Sequence, residues 1–294
     1  MEPRSRPLLA AIWMMGAMLS FTLMAVAGRE LGGAHDTFEI MFYRSLLGIA
    51  IVVGIGWLTG RLGAIRTERL GLHFTRNIFH FAGQNLWFYA VTIVPLSQLF
   101  ALEFTTPLWV ALLSPLFLGE RMTAVRLAAA AMGFVGILIV ARPGAMEINA
   151  GVIAGASCAL GFAGAVMATK ILARHEAVIS ILFWLTVMQA VFGLITAGYD
   201  GAIRPPTLAT LPYLALIGCC GLFSHYCITN ALAIAPATVV SPLEFLRLPL
   251  VAVVGLFLYE EPLLATVFIG AGLVFAANLM NILSEQKRSK TVPA

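Results

Sequence analysis

AVTIVPLSQLFALEFTTPLWVALLSPLFLGE, residues 90–120, recurs in altered form at residues 231–261 as ALAIAPATVVSPLEFLRLPLVAVVGLFLYEE. Aligned without gaps, Ala90 meets Ala231, Ile93 meets Ile234 and Pro95 meets Pro236. Glu103-Phe104 then meets Glu244-Phe245, and Glu120 meets Glu261. Each copy is an apolar lead-in, a proline, and a hydrophobic helix carrying one early glutamate. Carboxylates are scarce in such helices because their charge is costly away from water. Two at equivalent places point to one structural unit used twice.

The rest of the chain matches this pattern. Of 294 residues, 60% are hydrophobic and 11% charged, where a soluble domain carries about 25% charged residues. Charge-free runs separate Arg6 from Arg29, Arg76 from Glu103, Glu147 from Lys170, Glu176 from Asp200, Arg204 from Glu244, and Glu261 from Glu285. About 20 apolar residues cross a bilayer as a helix. The chain therefore reads as an all-α membrane protein, in contact with membrane lipid. Ten spans are expected, near 8–28, 37–59, 70–94, 96–118, 122–141, 148–170, 177–199, 208–233, 237–258 and 262–283. The N-terminal apolar run is expected to stay as the first span, since it is long and more spans follow. The tail after Ser284 reads as polar and disordered.

The net charge of +4 comes without a basic patch interleaved with aromatics, so no nucleic acid is expected as a partner. It reflects loop asymmetry instead. Thirteen Lys/Arg fall on the side of the termini (Arg4, Arg6, Arg61, Arg66, Arg69, Arg76, Arg121, Arg126, Lys170, Arg174, Lys287, Arg288 and Lys290). Three, Arg29, Arg142 and Arg204, fall on the other. Positive charge marks the cytoplasmic side, so both termini are expected there. Five spans per half make each half odd, and the second must insert upside down. Such inverted repeats are a common construction of secondary transporters. The four cysteines, Cys158, Cys219, Cys220 and Cys227, lie within apolar spans with no ligand spacing, and read as packing residues.

LGERMT at 118–123 followed by Gly133 and Gly136, and FYRSLLG at 42–48, are similar to an EamA repeat, as is the early-Pro, late-Gly-Glu design of the fourth span. YEEP at 259–262 with Gly270 and Gly272 is a looser version; Tyr259-Glu260-Glu261 stands where the first copy has Gly119-Glu120, so exact symmetry of the two helix ends is not expected. Nearly the whole chain resembles the drug/metabolite transporter superfamily, and within it the ten-helix exporters of amino acids, the YddG-type proteins among them. The resemblance implies a first EamA repeat over 1–144, a second over 145–284 and a cytoplasmic tail over 285–294. It also implies transport of a small organic solute across a bacterial inner membrane by alternating access, with export of an amino acid or related metabolite as the leading reading. Import or exchange of a cationic or vitamin-like solute is the alternative, the paired acids then selecting charge. The chain lacks the metal-protease and serine-nucleophile motifs of an intramembrane enzyme, so no enzyme, cofactor or metal is expected. A phosphate-cradling loop is missing too, leaving an ion or solute gradient as the driving force.

Ionisable residues inside spans are functional candidates. Glu103 and Glu244 are expected to line a central cavity, binding an ammonium group or carrying a coupling proton. Arg44 and Arg247 either bind substrate or neutralise them, Arg247 from three residues after Glu244 and Arg44 from the second span toward Glu103. Asn77, His80 and Gln84 share one face of the third span, continued by Trp87 and Phe88. Lipid would not tolerate that face, so it is expected to point inward. His225 and Tyr226 offer a counterpart in the eighth span, and Trp109 is a further wall candidate. His35, His73 and His175 read as solvated loop residues. Prolines in the fourth and ninth spans are expected to permit kinks.

Overall fold

The computed structural model describes residues 6–31, 33–94, 96–119, 122–141, 149–199, 201–260 and 265–291. The described residues form only helices and their connections. In chain order the helices are α1 (Pro7–Glu30), α2 (Thr37–Leu58), α3 (Leu70–Ile93), α4 (Leu96–Glu103), α5 (Thr106–Phe117) and α6 (Ala124–Ala141). Then follow α7 (Ala150–Leu172), α8 (Val178–Ala197), α9 (Leu211–Ile234), α10 (Ala237–Val240), a 3-10 segment (Ser241–Leu246), α11 (Arg247–Tyr259) and α12 (Ala265–Thr291). Five of them, α1, α2, α7, α8 and α9, are long and apolar enough to cross a membrane. The last helix runs on to Thr291, so residues 285–291 of the stretch expected to be a disordered tail extend α12 instead, and residues 292–294 lie outside the described residues.

Local chemistry explains the ends. Proline stands in the first turn of α1 and of α9, where its missing N–H has no helical partner to lose. Asp36 and Glu39 form a capping box at α2, and Asn149 accepts from Val152 N–H at α7. Val94 and Ala235, the residues before Pro95 and Pro236, are both extended, because proline bars its predecessor from helical geometry. Thus α3 and α9 stop at equivalent points.

The fourth and ninth spans, expected as single helices, are both broken. Pro107 has no N–H to reach the carbonyl of Glu103, four residues back. The Thr106 hydroxyl donates to that carbonyl at 2.6 Å, and Thr105 donates to Leu102 O at 2.8 Å. The chain therefore stops helix at Glu103 and restarts at Thr106. In the second copy a 3-10 segment fills the same place. Both copies end alike: Gly119 (φ 64°) and its equivalent Glu260 (φ 55°) are left-handed. The departure at Tyr259-Glu260 thus keeps the helix-end geometry, with Glu adopting a conformation glycine takes more easily.

Many large apolar residues face outward while polar ones face inward. In α3, His73, Arg76, Asn77, His80, Gln84 and Asn85 are buried, while Phe74, Ile78, Phe79, Tyr89 and Ile93 are exposed. That distribution suits lipid and not water, and the buried polar stripe explains why α3 is not apolar enough to join the five. His35 and His73, expected in solvent, are buried: His35 contacts Glu39 and Thr210, each at 3.2 Å, and His73 contacts Glu176 at 2.6 Å. His175 is exposed as expected. Cys158, Cys220 and Cys227 are buried and Cys219 exposed, all as free thiols.

The main helix contacts join α1 with α9, α3 with α7, α2 with α8 and α6 with α12. Exchanging each helix for its counterpart in the other copy leaves this set unchanged. Small residues permit the approach: a Cβ on Gly161 would lie 2.8 Å from the Phe79 carbonyl and 2.9 Å from the Gly83 Cα. Gly161→Ala should therefore force α3 and α7 apart and cost about 1–3 kcal/mol, seen as a lower thermal unfolding midpoint in detergent. Gly272→Ala, where nothing lies within 4 Å, should leave the midpoint unchanged.

Candidate functional site

A cavity of about 50 Å³ lies at the centre of the bundle. Its floor is a salt bridge between the two copies. Glu103, at the last turn of α4, accepts from Trp87 Nε1 at 2.6 Å and from Arg247 Nη2, at the first turn of α11. Three rings enclose the Arg247 guanidinium, whose central carbon is 4.7 Å from the centre of Phe100 and 5.1 Å from those of Phe21 and Phe104. Aromatic faces stabilise a cation electrostatically where water is excluded. The expected pairings are corrected here. Arg247 bonds to Glu103 across the molecule, not to Glu244, which lies in the preceding 3-10 segment. Arg44 bonds to no carboxylate among the described residues; its Nη1 lies 3.6 Å from the Met41 sulfur.

Above the salt bridge, His80 of α3 and His225 of α9 face each other, Nε2 to Nε2, at 2.8 Å. One ring must donate and the other accept, so this contact needs at least one neutral imidazole. Arg76, counted from sequence as a cytoplasmic loop charge, is 2% exposed and lines the cavity. Its Nε donates to Thr169 Oγ1 at 3.0 Å and its Nη1 to Asn77 Oδ1 at 3.4 Å; no carboxylate pairs with it among the described residues. Lys170, counted likewise, is buried and donates to Leu232 O and Ala235 O at 2.7 Å each. Pro236 supplies no N–H to Leu232 O, and the ammonium takes that place.

His80, Gln84, Glu103, His225, Glu244 and Arg247 thus line one cavity. Four other candidates lie elsewhere. Asn77 is buried but turns to α8, where Gln189 Nε2 donates to its carbonyl at 2.9 Å and its side-chain oxygen at 3.1 Å. Trp109 is on the outer surface. Tyr226 also faces outward, edge-on to Trp13 at 5.4 Å. Arg44 borders a separate small void. Asn77 and Tyr226 missed the cavity because spacing along a helix identifies a shared face without saying which neighbour it meets; Trp109 and Arg44, chosen for lying within a span, missed it because depth in a span does not say which way a side chain points.

Residue numbers reveal the cavity's plan. Glu103 and Glu244 are 141 apart (244 minus 103). The same separation relates Phe21 to Phe162, Met24 to Ala165, Gln84 to His225, Trp87 to Ile228 and Thr106 to Arg247, and every one of these residues lines the cavity. Phe21, Phe162, Thr106, Arg76 and Thr169 were not singled out from the sequence. Extending the repeat's register upstream of residue 90 would have found Phe21 and Phe162, and Thr106 is the counterpart of Arg247 within the aligned stretch itself.

Replacing a buried carboxylate that neutralises a cation leaves the cation uncompensated. Glu103→Gln should cost about 3 kcal/mol of stability, measured as thermal unfolding in detergent. Adding Arg247→Met should restore a large part of that loss.

The chain matches the model of the EamA-like transporter family twice, at residues 8–142 and 149–283. It is 31% identical over 296 residues to a riboflavin transporter of Rhizobium johnstonii, covering 98% of this chain and 95% of that one. It is 26% identical over 275 residues to an S-adenosylmethionine uptake transporter of Rickettsia bellii, covering 94% of each. A riboflavin transporter of Brucella anthropi is 32% identical over 232 residues, covering 78% and 82%. A solved crystal structure, 18% identical, superposes with a TM-score of 0.77 over 95% of this chain and 98% of its own, and shares the fold. On these matches the chain belongs to the EamA-like transporter family and is a transporter, not an enzyme.

Proposed function

We propose that the protein is a secondary transporter that imports a small organic metabolite across a bacterial inner membrane by alternating access. In this reading the helices make ten spans, as two inverted five-helix repeats over 1–144 and 145–284, with residues 285–294 and both termini in the cytoplasm. The fourth and ninth spans are the broken pair that frames the site, as discontinuous helices do in other transporters. One observation carries the proposal: the central cavity is lined by repeat-related residues from both copies, and it holds charges of both signs.

Import is favoured over the amino-acid export expected from the resemblance. The relatives above are named for S-adenosylmethionine uptake and for riboflavin, which suits the alternative of a cationic or vitamin-like solute. A site for such a molecule encloses about 300 Å³ or more. The cavity of about 50 Å³ takes a few waters, so the structure corresponds to a nearly closed state. Loading requires the helices to part. The moving bodies in this reading are mixed bundles, α3 with α7 and α1 with α9, because those pairs are the ones in closest packing.

His80, Gln84, His225, Glu244 and the Glu103–Arg247 pair are the binding residues of this reading. The Glu244 carboxylate accepts no hydrogen bond among the described residues, so it is free to meet a cationic group or carry a coupling proton. Purified protein in liposomes should accumulate labelled S-adenosylmethionine or riboflavin without ATP. Glu244→Gln should reduce initial uptake by about tenfold or more, as expected for losing one bond to a charged group. Uptake no faster than empty liposomes for both solutes, with no thermal shift across a metabolite panel, would overturn the reading.

A further inference from the structure

Arg76 is a buried cation that the fold itself does not require. Its repeat counterpart, 141 residues on (217 minus 76), is Ile217, which is fully buried in the apolar core. Thr169, which accepts from Arg76 Nε, has Gly28 as its counterpart. One copy thus fills this place with apolar packing. The other puts a guanidinium and a hydroxyl there, and both line the central cavity. A charge in a bilayer interior is costly and marks function unless something neutralises it.

This guanidinium is held but not neutralised. Nε and Nη1 donate to Thr169 Oγ1 and Asn77 Oδ1, both neutral acceptors, and Gln189 of α8 donates to the same Asn77 oxygen at 3.1 Å. Nη2 donates to no group among the described residues. Arg44, of like sign, is the charge that acts on Arg76. The charges that act on Glu244 are those of Arg247 and Glu103. Arg76 and the acids therefore sit apart in the cavity. Along α3 the cavity face runs Arg76, His80, Gln84, Trp87, and Trp87 reaches Glu103. Arg76 and Trp87 are 11 positions apart (87 minus 76), about 16 Å along the helix axis.

We propose that Arg76, with Thr169 beside it, is an anion subsite of the central cavity and takes a carboxylate or phosphate group of the solute. A planar fork already fixed through Nε and Nη1 presents Nη2 to such a group with little ordering left to do. Even nearly closed, the cavity of about 50 Å³ has room for a few waters, roughly the bulk of one carboxylate. The inference rests on the import reading. It adds that the solute bears an anionic group, and names the residue that meets it.

The test compares solutes that differ in one anionic group, using purified full-length protein in detergent for binding and in liposomes for uptake. S-adenosylmethionine is set against its decarboxylated form, and riboflavin 5′-phosphate against riboflavin. In at least one pair the anionic member should bind more tightly by about tenfold or more, the usual gain of a hydrogen bond to a charged group. The pair that shows it tells a carboxylate from a phosphate. Arg76→Gln should bring that preference to about one. Arg76→Lys should keep part of it, because the charge survives and the fork does not. A preference that outlasts Arg76→Gln, or an equal loss for both members of a pair, would give Arg76 a structural role and sink the subsite. The wild-type comparison decides the matter even if Arg76→Gln does not fold. Equal or weaker binding of the anionic member in both pairs, with uptake of a neutral member intact, would overturn the subsite and leave import standing. Binding and uptake of none of the four would overturn both.

Discussion

The bridge between Glu103 and Arg247 holds the centre of this molecule together. It joins the two copies at the point where each breaks its helix, and the break is what makes the bridge possible. Had α4 continued through Pro107, the last-turn carboxylate would be one more group along a helix side. Because the backbone stops there, Glu103 sits at an end, with Trp87 on one oxygen and a guanidinium on the other. Three phenylalanines then shield the cation from lipid and water alike. A buried pair of this kind contributes less to net stability than to uniqueness of arrangement. Removing one partner is far worse than never having had either.

That arrangement leaves other ionisable groups of the site without a partner. Arg247 is taken by Glu103, and Glu244 lines the same cavity without a hydrogen bond among the described residues. Arg76 and Arg44 are buried guanidinium groups that bond to no carboxylate among the described residues. Neutral polar groups in a bilayer interior can bond to one another, as Gln189 Nε2 does to Asn77. Unneutralised charges do not, and a bilayer interior penalises them unless opposite charge meets them.

Much of this could be read before any coordinates. The Pro-Glu repeat, the charge-free runs and the polar stripe of α3 led to a helical membrane bundle with two related copies. They also led to six of the residues that line its centre. What failed did so for identifiable reasons. Arg247 follows Glu244 by three residues, the spacing of a same-helix pair, but Glu244 belongs to a 3-10 segment and Arg247 opens the next helix, where it bonds to Glu103. Arg76 lies six residues inside α3 and was counted as a loop charge, since charge alone does not tell a boundary from a cavity. In α9, apolar residues surround the whole helix, so no periodicity could show that Tyr226 looks outward and His225 inward.

The exchange of partners between copies has a bearing on how such a chain comes to exist. Helix α1 finds its mate in α9 and α3 finds its mate in α7, so neither copy closes a core of its own. A lone first repeat would present to the bilayer the buried histidines, arginine and amides of α3, which hydrocarbon does not tolerate. The two copies are thus units of ancestry and not of folding. Synthesis must keep the first copy's polar stripe sheltered until the second arrives, which makes late insertion of α7 and α9 the natural point of failure for this protein.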